Sequence, residues 1–176
     1  ETLGIRKRVL GEEHPETLST MSNLSVLYAV QGRLDEAEPL FIELLNIRRR
    51  VLGEEHPQTL SAINNLTNLY TVQGKWAEAE SLYQEHLLIQ KLILGEEHPD
   101  TLLTKHNLAL TRHNRGQYAE AETLFLETLK IENRVLGQEH PQTIATMSEL
   151  ATLYDSQNRY SESVQLLAEI LKAQKS

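Results

Sequence analysis

The segment Leu10-Gly-Glu-Glu-His-Pro-Glu-Thr17 returns in closely similar form from Leu52, Leu94 and Leu136, a constant period of 42 residues. A fixed period without insertions means that every unit has the same structural content, which is what stacking one supersecondary piece on the next requires. The expected units are 15–56, 57–98, 99–140 and 141–176, the last one truncated. Residues 1–14 are read as the end of a preceding second helix and its linker. Glu1–Leu10 matches Glu43–Leu52, and the last eight residues, from Glu169, begin in the same phase. An excerpt from a longer array is the expectation.

Each unit reads as two helices. Pro15, Pro57, Pro99 and Pro141 suit the first helical position, where a missing N–H costs nothing. Leu18, Leu24 and Leu27 recur as Leu60, Leu66 and Leu69 and as Ile144, Leu150 and Leu153, spacings that keep one helical face apolar and predict that it is packed. Gly32, Gly74 and Gly116 fall where a helix ends in a left-handed residue, and Asn158 takes the fourth such place. A second helix follows in each unit. Ala37, Leu40, Phe41, Leu45 and Ile47 return as Ala79, Leu82, Tyr83, Leu87 and Ile89, and as Ala121, Leu124, Phe125, Leu129 and Ile131, the small alanine allowing close approach. Pro39 has no counterpart and predicts a slight kink rather than a break. The fold class is all-α, built of antiparallel helix pairs.

A chain of 176 residues with 40% apolar and 24% charged content can bury a core unaided. It has no cysteine, which rules out disulfides, thiolate zinc sites and thiol nucleophiles. Apolar stretches fall far short of the roughly 20 residues of a membrane helix. The expectation is a soluble, cytoplasmic protein with no membrane partner. A net charge of −8 disfavours nucleic acid, whose binding draws on clustered Lys and Arg.

No Gly-rich phosphate loop, Gly-x-Ser-x-Gly elbow or His-Glu-x-x-His helix is present. The paired carboxylates recur in every unit, whereas catalysis needs one singular pair with separated pKa values. No catalytic residues and no cofactor are expected. The Glu-Glu-His-Pro tetrads carry zinc-ligand types, but each lies in a different loop and supplies no closed set. Acidic groups beside a helix start, where the dipole favours them, explain the repetition, and no metal is expected. Trp76 shares a column with Leu34, Tyr118 and Tyr160. A ligand contact is one role for it; packing against the preceding helix is the expected one.

Asn64-Asn-Leu-Thr-Asn-Leu-Tyr70, Gln73-Gly-Lys-Trp-Ala-Glu-Ala-Glu80 and the Gly-Glu-Glu-His-Pro linkers resemble the tetratricopeptide repeat over the whole chain, in its 42-residue kinesin light chain type. The resemblance implies a right-handed superhelical solenoid whose first helices line a concave groove that grips a peptide. Departures gather in the third unit, where Thr111 and Arg112 replace Leu-Tyr, and in the fourth, which has Ser163 for Ala and Asn158 for Gly. Those units are expected to pack less tightly.

On that implied groove the candidate peptide-binding residues are Ser22, Asn23, Asn64, Asn65, Asn68, Lys105, His106, Asn107, Arg112 and His113. Asn23, Asn65 and Asn107 form a ladder of carboxamides, which both donate and accept and so can bond an extended main chain of any sequence. Their alternative role is to bond neighbouring helix backbone. The third first helix is basic, with Lys105, Arg112, Arg115, His106 and His113, while the second carries no charge between Pro57 and Gln73. Glu149 and Asp155 make the fourth acidic. A groove with this charge order would place an acidic group of the partner near the third unit. Equally, Lys105 and Arg112 can run their stems along the core and snorkel. On the first view, binding of an acidic ligand strengthens as pH falls through about 6.5, the unperturbed histidine value. The other class of function is architectural: a spacer that self-associates head to tail through open repeat ends.

Overall fold

The computed structural model describes residues 1–174; the last two residues of the expected fourth unit, 175–176, lie outside them. The described residues form helices and no strand: α1 (Thr2–Leu10), α2 (Pro15–Val30), α3 (Leu34–Leu52), α4 (Pro57–Val72), α5 (Trp76–Ile93), α6 (Pro99–Asn114), α7 (Tyr118–Val135), α8 (Pro141–Ser156) and α9 (Tyr160–Ala173). They gather into two compact units, Glu1–Leu82 and Tyr83 onward, which divide inside α5. In the first unit α1 packs on α2, α2 on α3 and α3 on α4, and α2 also touches α4. In the second, α6 packs on α7, α7 on α8 and α8 on α9, and α6 touches α8. First helices of successive repeats thus share one face in each unit, with a second helix behind them.

Each first helix starts at its proline, and the histidine before it is the cap. The Nδ1 atoms of His14, His56, His98 and His140 each accept the backbone N–H two residues on, at 3.2 Å. Such a cap satisfies one of the orphan N–H groups of the first turn and contributes about 1 kcal/mol. At the other end, the N–H of Arg33 returns to the carbonyl of Tyr28 at 2.9 Å and that of Gly32 to Ala29 at 3.0 Å. The same pair of bonds closes α4, α6 and α8. The residue between them must be left-handed. Gly74 has φ +70°, and Asn158 reaches +62° as the sole positive-φ residue other than glycine among the described residues.

Close packing of the pairs comes from small residues on both helices. Ala37, Ala79, Ala121 and Ser163 are buried on the second helices, and Ser25, Thr67, Ala109 and Ala151 on the first. Ser25 and Thr67 bond their hydroxyls to the carbonyls of Met21 and Ile63, so each fills the space of an alanine without leaving a donor unpaired. In the first unit Leu18, Met21, Leu44 and Ile47 make one core cluster, with Leu3 and Leu40 against it. In the second, Phe125 is surrounded by Ala109, Ala121, Leu150, Leu153 and Tyr154.

The packing expected of Leu27 does not hold: it is 51% exposed, whereas its counterparts Leu69 and Leu153 are buried. Leu27 lies near the end of α2, and α1 is only nine residues long, too short to run beside the whole of α2. Pro39 does not interrupt α3, which runs on to Leu52. Thr111 and Ser163, at the substituted positions, are both buried.

A second device ties neighbouring repeats. Glu38 on α3 accepts from Gln73 at 2.9 Å and Lys75 at 2.6 Å, just past the end of α4. Glu122 on α7 likewise accepts from Arg159 at 2.6 and 3.0 Å. The same cations lie over tyrosine rings: Lys75 over Tyr70 at 5.6 Å and Arg159 over Tyr154 at 4.1 Å. Arg33 over Tyr28 at 4.2 Å repeats the stack. Bonding to Lys75 holds the Glu38 carboxyl below the usual carboxylate range, with burial opposing.

Candidate functional site

In the first unit the face shared by α2 and α4 carries Asn23 and Asn65 of the asparagine ladder, and Asn107 lies on α6 in the second. Asn23, Asn64 and Asn68 are exposed, and Ser22, Asn65 and Asn107 are half-buried. Among the described residues the one hydrogen bond made by an asparagine side chain of α2, α4 or α6 is that of Asn114, whose amide donates to the carbonyl of Leu110 at 2.9 Å. Among the described residues the carboxamides of Asn23, Asn65 and Asn107 therefore have no protein partner.

In the first unit that face also holds an apolar groove of about 330 Å³, bounded by Val26, Val30, Leu69 and Val72 with Asn65 and Asn68 on its rim. Val30 and Val72, at the ends of α2 and α4, are 81% and 71% exposed. Of its lining residues the sequence reading names Asn65 and Asn68 as candidates, whereas the pairing of Val30 with Val72 goes unmarked. The signal available was the column that reads Val30, Val72, Asn114, Ser156, apolar in the first two repeats and polar in the last two.

The basic residues of α6 are not brought together at one surface. Lys105 occupies the column of Met21, Ile63 and Met147, all buried, and is itself buried up to an ammonium that pairs with Glu127 of α7 at 2.7 Å. His106 is also buried: its Nδ1 lies 2.9 Å from the Thr146 hydroxyl and its ring sits edge-on to Phe125, centroids 5.6 Å apart. Arg112 and His113 remain half-buried at the end of α6. His113 packs on Tyr118, with centroids 5.7 Å apart, and its Nε2 lies 3.3 Å from the Ser156 hydroxyl. Burial lowers the pKa of both histidines, opposed at His113 by Glu149. Any charge they lend to ligand binding therefore appears only below the ordinary histidine value.

The column of Trp76 opens the second helices. Tyr118 packs on the preceding helix through His113, whereas Tyr160 is largely exposed and donates its hydroxyl to Asn158 at 2.8 Å. On α9, Val164, Leu167 and Leu171 are exposed. Leu167 stands in the column of Phe41 and Phe125, both buried beneath the next first helix in their units.

No group of three or more His, Cys, Asp or Glu among the described residues could hold a metal ion; the four imidazoles of the tetrads are used as helix caps. No described helix is long and apolar enough to cross a membrane. The arrangement presents carboxamides and aliphatic side chains at its surface.

The tetratricopeptide repeat family model matches residues 23–87, 68–115 and 100–176. A crystal structure from Podosopora anserina, of nearly identical TPR-like repeats described as those of a kinesin light chain, is 31% identical. It superposes with a TM-score of 0.87 over 98% of this chain and 82% of that one. BtubC from P. vanneervenii is 22% identical, with a TM-score of 0.76 over 98% of this chain and 69% of its own, a likeness of fold alone. No curated protein matches. The helix pairs, their left-handed turns and these matches together place the chain in the tetratricopeptide repeat family, with homology to the repeats of kinesin light chain type.

Proposed function

We propose that this array holds a peptide, or a segment of a partner protein, against its first helices. Protein–protein interaction is the general capability of the family. The observation that carries the finer reading is the ladder Asn23, Asn65, Asn107, whose carboxamides have no protein partner among the described residues. Amides that bond neither their own helix nor a neighbour add nothing to the fold, yet stand ready for an extended main chain. Ser22, Asn64 and Asn68 flank them. Arg112 and His113 would meet an acidic group of the partner; Lys105 and His106, held by Glu127 and Thr146, support α6 from within.

A pooled library of acidic and neutral peptides tests this on the whole chain. Each lost hydrogen bond costs about 0.5–1.5 kcal/mol, so replacing all three ladder asparagines by alanine weakens every binding peptide by about tenfold or more. The melting temperature should stay within a few degrees. Arg112→Glu should weaken the acidic peptides alone. Undiminished binding by the triple variant removes the ladder from the site.

A second reading, end-to-end self-association, is favoured by the exposed apolar face of α9. Leu167 and Leu171 occupy positions that in α3 and α7 face the following first helix, and heterologous contacts of that kind build open chains. It predicts a sedimentation coefficient that rises with concentration. A monomer throughout about a hundred-fold dilution disposes of it, as does a Leu167→Asp variant that associates as before.

A further inference from the structure

We infer that the groove between α2 and α4 is an anchor pocket for an uncharged, extended peptide segment, which places a branched aliphatic or aromatic side chain between Val26 and Val30 on one side and Leu69 and Val72 on the other. The inference rests on the peptide reading above and names the chemistry it selects. At about 330 Å³ the groove lies at the lower end of ligand pockets, which run about 300–1,000 Å³. That is room for one or two side chains and not for a docked helix.

Charge decides the class of occupant. Helix α4 carries no charged residue at all, and α2 carries only Glu16 in its first turn. None of the residues that line the groove, Leu34 and Phe41 of α3 included, is charged, so a charged side chain entering it would lose water and find no counter-ion in its walls, which is costly. An apolar one loses nothing and covers exposed valine surface. Those valines have no structural reason to be there. Valine is a poorer helix former than alanine or leucine, and Val30 and Val72 are 81% and 71% exposed at helix ends, so they contribute neither propensity nor core. The equivalent ends of α6 and α8 carry Asn114 and Ser156, so the repeat can do without them.

Asn65 and Asn68 complete the pocket. Both line it, and neither amide has a partner among the described residues. They lie nearly one helical turn apart on α4, spaced so that one can accept a peptide N–H while the other donates to a carbonyl. An anchor side chain with bonded main chain on its flank fixes both depth and register.

The test uses the whole chain with methyl-labelled valine and side-chain amides observed by NMR. The probes are capped Gly-Ser peptides carrying a single central Leu, Phe, Asp or Lys. The Leu and Phe peptides should shift the Val30 and Val72 methyls and the Asn65 and Asn68 amides saturably. The Asp and Lys peptides should bind at least about tenfold more weakly. The variant Val30→Asn, Val72→Ser, which borrows residues the chain already uses at the equivalent places, should lose the preference while melting with the parent. Equal response to all four peptides overturns the anchor. So do shifts confined to Asn107 and His113, which leave the first-helix reading standing, whereas no shift on any first helix with any peptide overturns both. Methyl shifts that follow protein concentration without peptide would make a second copy the occupant, and would also overturn it.

Discussion

Phe125→Ala should cost about 3–5 kcal/mol, while Leu167→Ala, in the same column of the repeat, should cost about 1 kcal/mol or less. The side chains are comparable in kind and the columns identical in phase, so the difference lies in what covers them. Phe125 is fully buried against Leu150, Leu153 and Tyr154 of α8, with the edge of His106 on its ring. Removing it leaves a cavity that the close Ala109 and Ala121 contact cannot fill, because small residues have no rotamers with which to collapse. Leu167 is 44% exposed, so its truncation removes surface that is already in water. Stability of a repeat array is roughly a sum of local and nearest-neighbour terms. The loss in Phe125→Ala should therefore be uneven along the chain. Trp76, the only tryptophan, lies in the first unit. In urea its fluorescence transition should come later than the helix signal read by circular dichroism. Coincident transitions, or an equal loss on Leu167→Ala, would show that the columns do not carry packing in this way.

Helix starts and turns were legible because their causes are local. A proline lacks an N–H wherever it stands, and a left-handed residue is required wherever the chain leaves a helix through paired returning bonds; both follow from a few consecutive residues. The histidine caps escaped notice because histidine is outside the usual capping set, although four histidines each placed before a proline were in view. His106 was read by residue type, and for Lys105 the sequence left the groove and the core equally open. Read by column, Lys105 falls with Met21, Ile63 and Met147 and must run through the core, and the carboxylate of Glu127 on the next helix explains how a cation is tolerated there. The stack of Tyr28 with Arg33, Tyr70 with Lys75 and Tyr154 with Arg159 spans a turn, so helical periodicity cannot reveal it. Its sequence trace is a coordinated exception: the third unit has Arg112 in the tyrosine column and Gln117 in the cation column. Two cations facing one another would repel, so the two columns change together. The apolar groove was hidden for another reason. Its walls come from two repeats, and only their adjacency turns scattered exposed valines into a surface.

Replacing Glu132 by glutamine should stabilise the second unit by about 1–3 kcal/mol at neutral pH, and the gain should vanish in acid. Glu132 lies on α7 in a column of buried polar groups that face the start of the next first helix. Arg6 and Arg48 hold this place in the first two junctions, donating to the carbonyls of Glu16 at 3.0 Å and Gln58 at 2.9 Å. The carbonyl of Gln142 is the equivalent acceptor, and a carboxylate has nothing to donate to it. Glu132 is fully buried, and neither of its oxygens makes a well-formed hydrogen bond. Burial accordingly raises its pKa, with the neighbouring Thr146 hydroxyl and Gln142 amide opposing. The sign of the linkage follows. Below the ordinary carboxyl value of 4.5 the folded and unfolded chains both hold the proton and the residue costs nothing through ionisation. As pH rises past that value the unfolded chain ionises while the folded one does not, and stability falls until pH passes the raised folded value. Glutamine removes this dependence at constant shape, and Gln90 already occupies the same column. His106, reached through Thr146, titrates with the opposite consequence: burial lowers its pKa, so its contribution is lost as pH falls below the ordinary histidine value. It is present in both proteins and largely cancels in their difference. Chemical denaturation of parent and Glu132→Gln across the acid-to-neutral range should give curves that meet at low pH and diverge above it. Parallel curves would mean that Glu132 is ionised in the folded protein, held by water or a cation that reaches the junction between α7 and α8.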